Sequence, residues 1–153
     1  MTIAYRPEKR IDGLDSQVFT VAAGQTVRPG MGIKIASTDT APADANYPQA
    51  QEAVADTDDP IAIAAGEIDA TAYAAGATFT GYLVAGGGMI PILVGTGGVT
   101  RGLSVVCASD GFTDAPANGN GTTRVFSPGV AFATGAVGDS VAMLLKPRAL
   151  AKT

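Results

Sequence analysis

The sequence of 153 residues contains no histidine, no tryptophan and a single cysteine. These absences exclude a histidine-dependent catalytic triad, a metal site built on histidine or on several cysteines, and any disulfide within the chain. Because so few groups remain that could carry enzyme chemistry, we expect neither enzymatic activity nor a bound cofactor.

Long apolar runs are also missing. The first ten residues contain no apolar stretch of the kind found in signal peptides, and the longest apolar run, residues 89–94, is interrupted by Pro91. A membrane-spanning helix needs about 20 consecutive apolar residues. We therefore expect a soluble protein that is made in the cytoplasm and has no membrane partner.

The charge is unevenly distributed along the chain. The first ten and the last eight residues together carry six basic side chains and one acidic side chain, whereas residues 11–145 carry four basic and thirteen acidic ones, a net charge of −9. An acidic body does not suit nucleic acid as a partner, because neutralising phosphates requires a positive surface. The basic ends suit an acidic protein neighbour, and the alternative is that they only keep the ends solvated.

A glycine-centred hexapeptide recurs in the chain. AAGQTV at 22–27 nearly repeats as AAGATF at 74–79 and as AVGDSV at 136–141. Glycine adopts positive φ at a turn without penalty, and the Thr, Ser, Val or Phe that follows favours a strand. With 20 glycines, 6% aromatic residues and apolar residues alternating at 18–22 and 31–36, the sequence predicts an all-β fold, a small β-barrel or sandwich of short strands.

Longer matches indicate an internal duplication. VRPGMGIKIAS at 27–37 aligns without a gap on VTRGLSVVCAS at 99–109, and PIAIAAG at 60–66 resembles PGVAFATG at 128–135. The repetition predicts two similar halves. In the second match Ile61, Ile63 and Gly66 align with Val130, Phe132 and Gly135.

These patterns divide the chain into three parts. Residues 17–146 are predicted to form one β domain, with pseudo-repeats at about 18–85 and 92–146. Pro7, the alternating charges and Asp12-Gly13 predict an irregular N-terminal arm at 1–16. Residues 147–153 are predicted to be a C-terminal tail.

Each half carries a polar insertion. The first, at 38–60, contains six acidic residues, no basic residue and three prolines, and the second, at 110–121, is rich in Gly, Asn and Asp. Both are predicted to be exposed loops, the first a long acidic loop with a helical turn near 49–55.

Two groups of polar residues can be interpreted as sites. Asp56, Asp58 and Asp59 could bind Ca²⁺, but the loop spacing of a calcium site is absent and a solvated acidic loop is favoured. Asp139-Ser140 after a glycine suggests a nucleophile elbow, yet G-x-S-x-G and a histidine base are both missing.

The remaining candidates are interpreted mainly as structural. GTGG at 95–98 and GNG at 119–121 could cradle a phosphate, but strands rather than a helix and a lysine follow them, which favours turns. Cys107 lies in an alternating apolar strand and is interpreted as a buried hydrophobic residue. Five aromatic residues could anchor an interface or belong to the core: Tyr5, Phe19, Tyr47, Tyr73 and Phe112.

Three segments together resemble a known family. VFSPGVAFATGAVGDSVAMLLKPR near the C-terminus, with VAAGQTVRPGMGIKIAS and TRGLSVVCASDG, resembles the small capsid decoration, or cement, proteins of tailed bacteriophages. The matching positions of the C-terminal pattern are Gly129-Val130-Ala131, Gly138-Asp139-Ser140-Val141 and Leu144-Leu145. The long acidic insertion at 38–60 departs from the family pattern.

The resemblance implies a β-rich structural protein on the outside of a phage head, bound to the major capsid protein and commonly trimeric. On this interpretation the protein is made in the host cytoplasm, belongs to the virion, stabilises the expanded head and has no catalytic residues. The alternative is a β-sandwich module of a tail or fibre that recognises a cell-surface glycan, which the absence of tryptophan disfavours; nothing selects a carboxylate pair for a glycosidase. The residues expected to contact the capsid or another copy are Tyr5, Arg6, Lys9, Arg10, Lys146 and Arg148.

Overall fold

The computed structural model describes residues 15–36, 47–117 and 121–151 of the chain. In these ranges the regular structure is β-strand apart from one turn of 3₁₀ helix at Val84–Gly86, and no helix there is long and apolar enough to cross a membrane. The prediction of an all-β fold is confirmed. The strands are β1 (Ser16–Val21), β2 (Gly32–Ile35), β3 (Gln49–Glu52), β4 (Ala62–Ala64), β5 (Thr78–Leu83), β6 (Met89–Leu93), β7 (Ser104–Ala108), β8 (Gly111–Asp114), β9 (Arg124–Ala131) and β10 (Ser140–Ala151).

Strands β1 to β5 form a closed barrel in the order β1-β3-β2-β4-β5, which we call the first unit. Strand β1 runs antiparallel to β5, with Phe19 opposite Phe79, and parallel to β3, with Val21 opposite Ala50. Phe19 and Val21 are both 1% exposed, and the rings of Phe19 and Phe79 stack with centroids 5.7 Å apart. The period-two pattern of β1 therefore supplies the barrel core.

Strands β6 to β10 form the second unit, a five-stranded sheet in the order β6-β10-β9-β7-β8. Its pairings repeat those of the first unit: β6 with β10 as β1 with β5, β10 with β9 as β5 with β4, β9 with β7 as β4 with β2, and β7 with β8 as β2 with β3. The pairing of β1 with β3 is matched by a parallel bridge between Val94 and Phe112. The chain thus contains one five-stranded topology twice.

The three glycine hexapeptides form the same turn. The third residue of each is a glycine with φ of +72°, +80° and +87° respectively, where a Cβ would be strained. In each, the N–H of the fourth residue donates to the carbonyl of the first: Gln25 to Ala22 at 3.1 Å, Ala77 to Ala74 at 3.0 Å and Asp139 to Ala136 at 3.0 Å.

The two units differ in how they close. In the first unit the N–H of Thr20 on β1 donates to the carbonyl of Pro48, beside β3, at 2.9 Å. In the second unit the corresponding N–H, that of Leu93, donates to the carbonyl of Gly30 in the first unit at 3.1 Å. Both units also close with a bond of their own, from Ala22 to Ala50 at 2.9 Å and from Gly95 to Phe112 at 2.8 Å, so the second unit depends on the first at the Leu93 position alone of these two.

The buried side chains form two clusters. One fills the barrel of the first unit, and the other fills the second unit and includes Ala53, Ile63 and Val84 from the first. Because three residues of the first unit lie in the core of the second, burial of apolar surface couples the units in folding.

Part of the polar insertions is strand rather than loop. The helical turn predicted near 49–55 is wrong, because residues Gln49–Glu52 form β3, and Gly111–Asp114 of the second insertion form β8. Neither segment has an apolar alternating sequence, but each pairs along a neighbouring strand, and Gln49 is only 8% exposed. Tertiary pairing here overrides local preference.

The second internal match is two residues out of register. Ile63 lies opposite Gly32, and Val130 lies opposite Ser104, so that Ile63 corresponds to Val130 rather than to Phe132. The mismatch arises because the first unit has a longer segment between this strand and the next glycine turn. At the C-terminus β10 continues to Ala151 and so includes most of the predicted tail at 147–153, with a register shift against β9 between residues 145 and 148.

Candidate interface surfaces

Two of the six residues predicted to contact a partner lie within the described part of the chain. Tyr5, Arg6, Lys9 and Arg10 fall in residues 1–14, outside the described residues. Lys146 and Arg148 are exposed on β10 at its register shift against β9, and a guanidinium nitrogen of Arg148 donates a hydrogen bond to the hydroxyl of Ser104. The structure therefore brings Lys146 and Arg148 together on one strand, and their contact with a partner stays a prediction.

The aromatic candidates divide between core and surface. Phe112 is fully buried and Phe19 nearly so, which assigns both to the core. Tyr73 stacks on Phe79 with ring centroids 5.4 Å apart, and its hydroxyl donates to a backbone carbonyl at 2.8 Å. Tyr47 is 42% exposed and is the described aromatic candidate that remains available to a partner.

Carboxylates hold the glycine-rich turns of the second unit. Asp110 accepts the N–H and the hydroxyl of Thr96, and these hydrogen bonds lower the pKa of Asp110 below its ordinary value. Thr96 lies within GTGG, the segment considered as a phosphate cradle. Because its N–H is bonded to Asp110, this group is not available to a phosphate. Asp139 accepts the N–H of Ala136 at 2.9 Å, so the suggested nucleophile elbow is a carboxylate-stabilised turn.

The same device recurs at equivalent places in the two units. In the first unit Glu52 accepts the N–H of Arg28 at 2.8 Å, and in the second unit Asp114 accepts the N–H of Thr100 at 2.7 Å. Both acceptors end the third strand of their unit, and both donors lie in the turn before the second strand. The acidic residues of the body thus serve partly as internal hydrogen-bond acceptors.

Asp58 of the first insertion is also engaged in the fold. Asp58 binds Lys34 at 2.8 Å and accepts the N–H groups of Val54 and Ala55. Desolvation by itself would raise the pKa of Asp58, but the hydrogen bonds from Lys34 and the two backbone groups outweigh it, and the pKa is lowered. No group of three or more potential metal ligands occurs within residues 15–36, 47–117 and 121–151.

The single cysteine belongs to the buried face between the units. Cys107 is 2% exposed, and desolvation raises the pKa of its thiol to about 12. A thiol that stays protonated at neutral pH is a poor nucleophile. Cys107 therefore acts as an apolar packing group.

Arg28 links the two units across their boundary. Its guanidinium forms a bidentate pair with Glu52, at 2.9 and 2.7 Å, and donates to the carbonyl of Ser109 in the second unit at 2.8 Å. Hydrogen bonding to Glu52 raises the pKa of Arg28. The turn between β7 and β8 is thereby fixed against the turn before β2.

A groove of about 410 Å³ lies along the boundary between the units. It has acidic and apolar side chains on its walls and no basic ones, so it suits neither phosphate nor nucleic acid. Its lining comprises Val54, Ala55, Asp56, Val106, Cys107, Ala108, Ser109, Thr113, Asp114 and Pro116.

Several large apolar side chains are exposed, and most of them carry no signal in the sequence that predicts an interface. They include Leu103, just before β7, at 49% and Phe132, just after β9, at 46%. The others are Ile35 at 51%, Tyr47 at 42%, Val54 at 44%, Ile61 at 38%, Met89 at 45% and Val137 at 60%.

The sequence matches no protein-family profile and no curated protein. Its fold is similar to the N base of head fiber gp8.5 from bacteriophage phi29, with a TM-score of 0.55. The likeness covers 87% of this chain and 94% of that chain at 12% sequence identity. At this identity the two proteins share a fold, and the comparison carries no individual residue across.

Proposed function

We propose that this chain is a structural protein of a tailed-phage virion that binds the outer surface of the capsid lattice and stabilises the expanded head. The observation that carries this proposal is the fold shared with the base of a phage head fiber over nearly the whole of both chains. The sequence motifs that resemble phage decoration proteins support the same class from separate evidence.

The construction of the molecule fits adhesion. The carboxylates of Asp58, Asp110, Asp114 and Asp139 each accept backbone N–H groups, so they fix turns of the chain. A protein that binds the expanded lattice more tightly than the unexpanded one stabilises the expanded state by the difference in binding free energy at every site. Many weak sites then add up to a large effect.

The basic ends are the proposed contact with the shell. Residues 11–145 carry a net charge of −9, so an acidic capsid surface would repel the body and attract the ends. Among the described residues of the ends, Lys146 is exposed on β10, whereas Arg148 also binds Ser104. Lys146 and the basic residues of the arm are therefore proposed to dock on the capsid, with the protein as a homotrimer.

Co-sedimentation with empty heads tests the proposal. The purified protein should bind saturably to expanded heads that lack it, and more weakly to unexpanded heads of the same phage. Deletion of residues 1–12 or the substitution Lys146→Glu should reduce occupancy, and the charge-conserving Lys146→Arg should retain it. Equal binding to both lattices, or no binding at micromolar concentration, would refute the function, and unchanged occupancy of the deletion and charge-reversal variants would refute the role of the ends.

A further inference from the structure

The contact between the two units is one-sided. The carbonyl of Gly30 accepts the N–H of Leu93 at 3.1 Å, and a Cβ placed on Gly32 would lie 2.8 Å from Sγ of Cys107. Met31, between the two glycines, is fully buried, and Cys107 is 2% exposed. At this part of the boundary the first unit contributes the turn before β2, and the second contributes strands β6 and β7. A contact between unlike surfaces is heterologous.

Because the units are duplicates, the counterpart of each surface exists once more in the molecule. Leu103 is the counterpart of Met31: the N–H of Ala64 donates to the carbonyl of Met31, and the N–H of Ala131 donates to that of Leu103. Yet Leu103 is 49% exposed, and the neighbouring Phe132 is 46% exposed. The turn that is covered in the first unit is therefore bare in the second, and we call Leu103 and Phe132 the donor surface.

The opposite surface is bare in the first unit. Ile35 is the counterpart of Cys107, since Ile35 lies opposite Ala50 on β3 as Cys107 lies opposite Phe112 on β8. Cys107 is covered by the other unit, whereas Ile35 is 51% exposed. Tyr47, shortly before β3, is 42% exposed. We call Ile35 and Tyr47 the acceptor surface.

We propose that the donor surface of one copy binds the acceptor surface of a second copy, so that chains join through the counterpart of the contact that joins the units within each chain. The occupant of each bare apolar surface is then another copy of this protein, and the argument is continuity with the contact already present. Repeated heterologous contacts close into a ring when the rotation allows it. Three chains in such a ring would present six similar units in alternation, and the inference deepens, and rests on, the homotrimer proposed above.

The contact between chains cannot reproduce the internal one in every bond. In the second unit the N–H of Leu93 is taken by the carbonyl of Gly30, but in the first unit the N–H of Thr20 is taken by Pro48. A second copy therefore finds this backbone position already filled. The contact between chains is then made by the apolar side chains on either side of this position. It is therefore weaker than the contact between the units, and a single substitution should dissociate the chains.

Two charge substitutions and their mixture test the inference. Leu103→Asp removes the donor surface and Ile35→Asp the acceptor surface, and light scattering after gel filtration should show each variant alone as a monomer, a drop in molar mass of about three-fold. Mixed in equal amounts, the two variants should form a dimer, because one intact pair of surfaces survives. Met89→Asp, at a residue 45% exposed elsewhere on the second unit, is the matched control and should keep the wild-type mass.

The outcomes separate this inference from the proposed function. The inference would be overturned if Leu103→Asp or Ile35→Asp, shown to be folded by circular dichroism, kept the wild-type molar mass. It would also be overturned if the mixture of the two variants stayed monomeric, or if the wild-type protein were monomeric at 100-fold the concentration needed to saturate heads. If the wild-type protein binds heads as a monomer, the inference about the contact between chains is refuted and the binding to heads stands. If the ring assembles and the variants dissociate as expected but the protein does not bind heads, the proposed function is refuted and the contact between chains stands.

Discussion

Replacing Gly32 by alanine probes how the two units pack. A Cβ at Gly32 would lie 2.8 Å from Sγ of Cys107 and 3.2 Å from Cζ of Phe112, whereas ordinary van der Waals contact begins at 3.4 Å. The strand cannot easily retreat, because Gly32 pairs with Ile63 and its carbonyl accepts the N–H of Ala53 at 2.8 Å. We expect Gly32→Ala to lower the free energy of unfolding by about 2 kcal/mol through overpacking.

A second substitution makes the cause of this loss specific. Cys107→Ala removes the sulfur atom that the new methyl group would strike, and by itself it should cost about 1 kcal/mol as a small cavity. In the double variant the methyl group moves into the vacated space. The combined cost should therefore fall below the sum of the single costs by about 1 kcal/mol or more.

Urea unfolding followed by circular dichroism measures these free energies. We expect one transition, because the core of the second unit includes side chains from the first. Gly24→Ala is the control, since a Cβ there meets nothing within 4 Å, and its cost should add to that of Cys107→Ala. If Gly32→Ala and Cys107→Ala also add to within about 0.5 kcal/mol, the packing of the two units described here is refuted.

Four further predictions concern single sites. The hydroxyl oxygen of Thr20 is buried without a hydrogen-bond partner, so Thr20→Val should raise the urea midpoint by an amount worth about 1 kcal/mol, and a lowered midpoint would contradict this. The lowered pKa of Asp58 stabilises the fold above the unfolded-state pKa, and this contribution is lost as the pH falls through the folded-state pKa; Asp58→Asn should therefore flatten the decline in stability between about pH 5 and pH 3, measured by urea unfolding. With its thiol pKa raised to about 12, Cys107 should react with a thiol reagent at pH 8 on the order of a thousand-fold more slowly than in urea, and a native rate close to the unfolded one would show that it is exposed. Gly129→Ala drives a methyl group into the carbonyl of Leu144 on β10 and should lower the free energy of unfolding by about 3 kcal/mol. Gly138→Ala, with φ of +87° and open space, should lower it by about 1 kcal/mol. Equal losses in urea unfolding would argue against the close approach of β9 and β10.

The features that the sequence predicts well are local. The three hexapeptides predict turns because glycine adopts positive φ without a Cβ penalty, and all three form the same hydrogen-bonded turn. The alternation around Phe19 and Ile33 predicts strands because one face of each must be apolar, and both side chains are buried. These signals suffice for the all-β class.

The misplaced elements depend on partners distant in sequence. Strand β3, with the sequence QAQE, has no apolar period, and it is a strand because it pairs with β1 and β2. The two-residue slip in matching Ile63 has a similar origin, since only the pairing with Gly32 fixes the register. No signal within either segment carries this information.

The candidate surfaces could be predicted only in part, because exposure also depends on contacts between residues distant in sequence. Charge alone selects Lys146, which is exposed on β10. Leu103 and Ile35 read as core residues in an alternating strand, and the gapless alignment even pairs Leu103 with a methionine that is buried. Whether such a side chain is covered depends on which end of one unit meets the other, and this is a property of the assembled chain.

The hydrogen bond from Leu93 to Gly30 gives the two halves unequal independence. A fragment ending after β5 keeps the strand pairings of its own barrel but exposes Ala53, Ile63 and Val84. A fragment starting at β6 would in addition leave the amides of Leu93 and Phe126 without their acceptors, the carbonyls of Gly30 and Asp56. Since the ribosome delivers the first unit before the second, the second unit can pair with strands whose acceptors are already in place. Two units of one strand topology are in this way unequal, because the second completes its backbone hydrogen bonds only on the first.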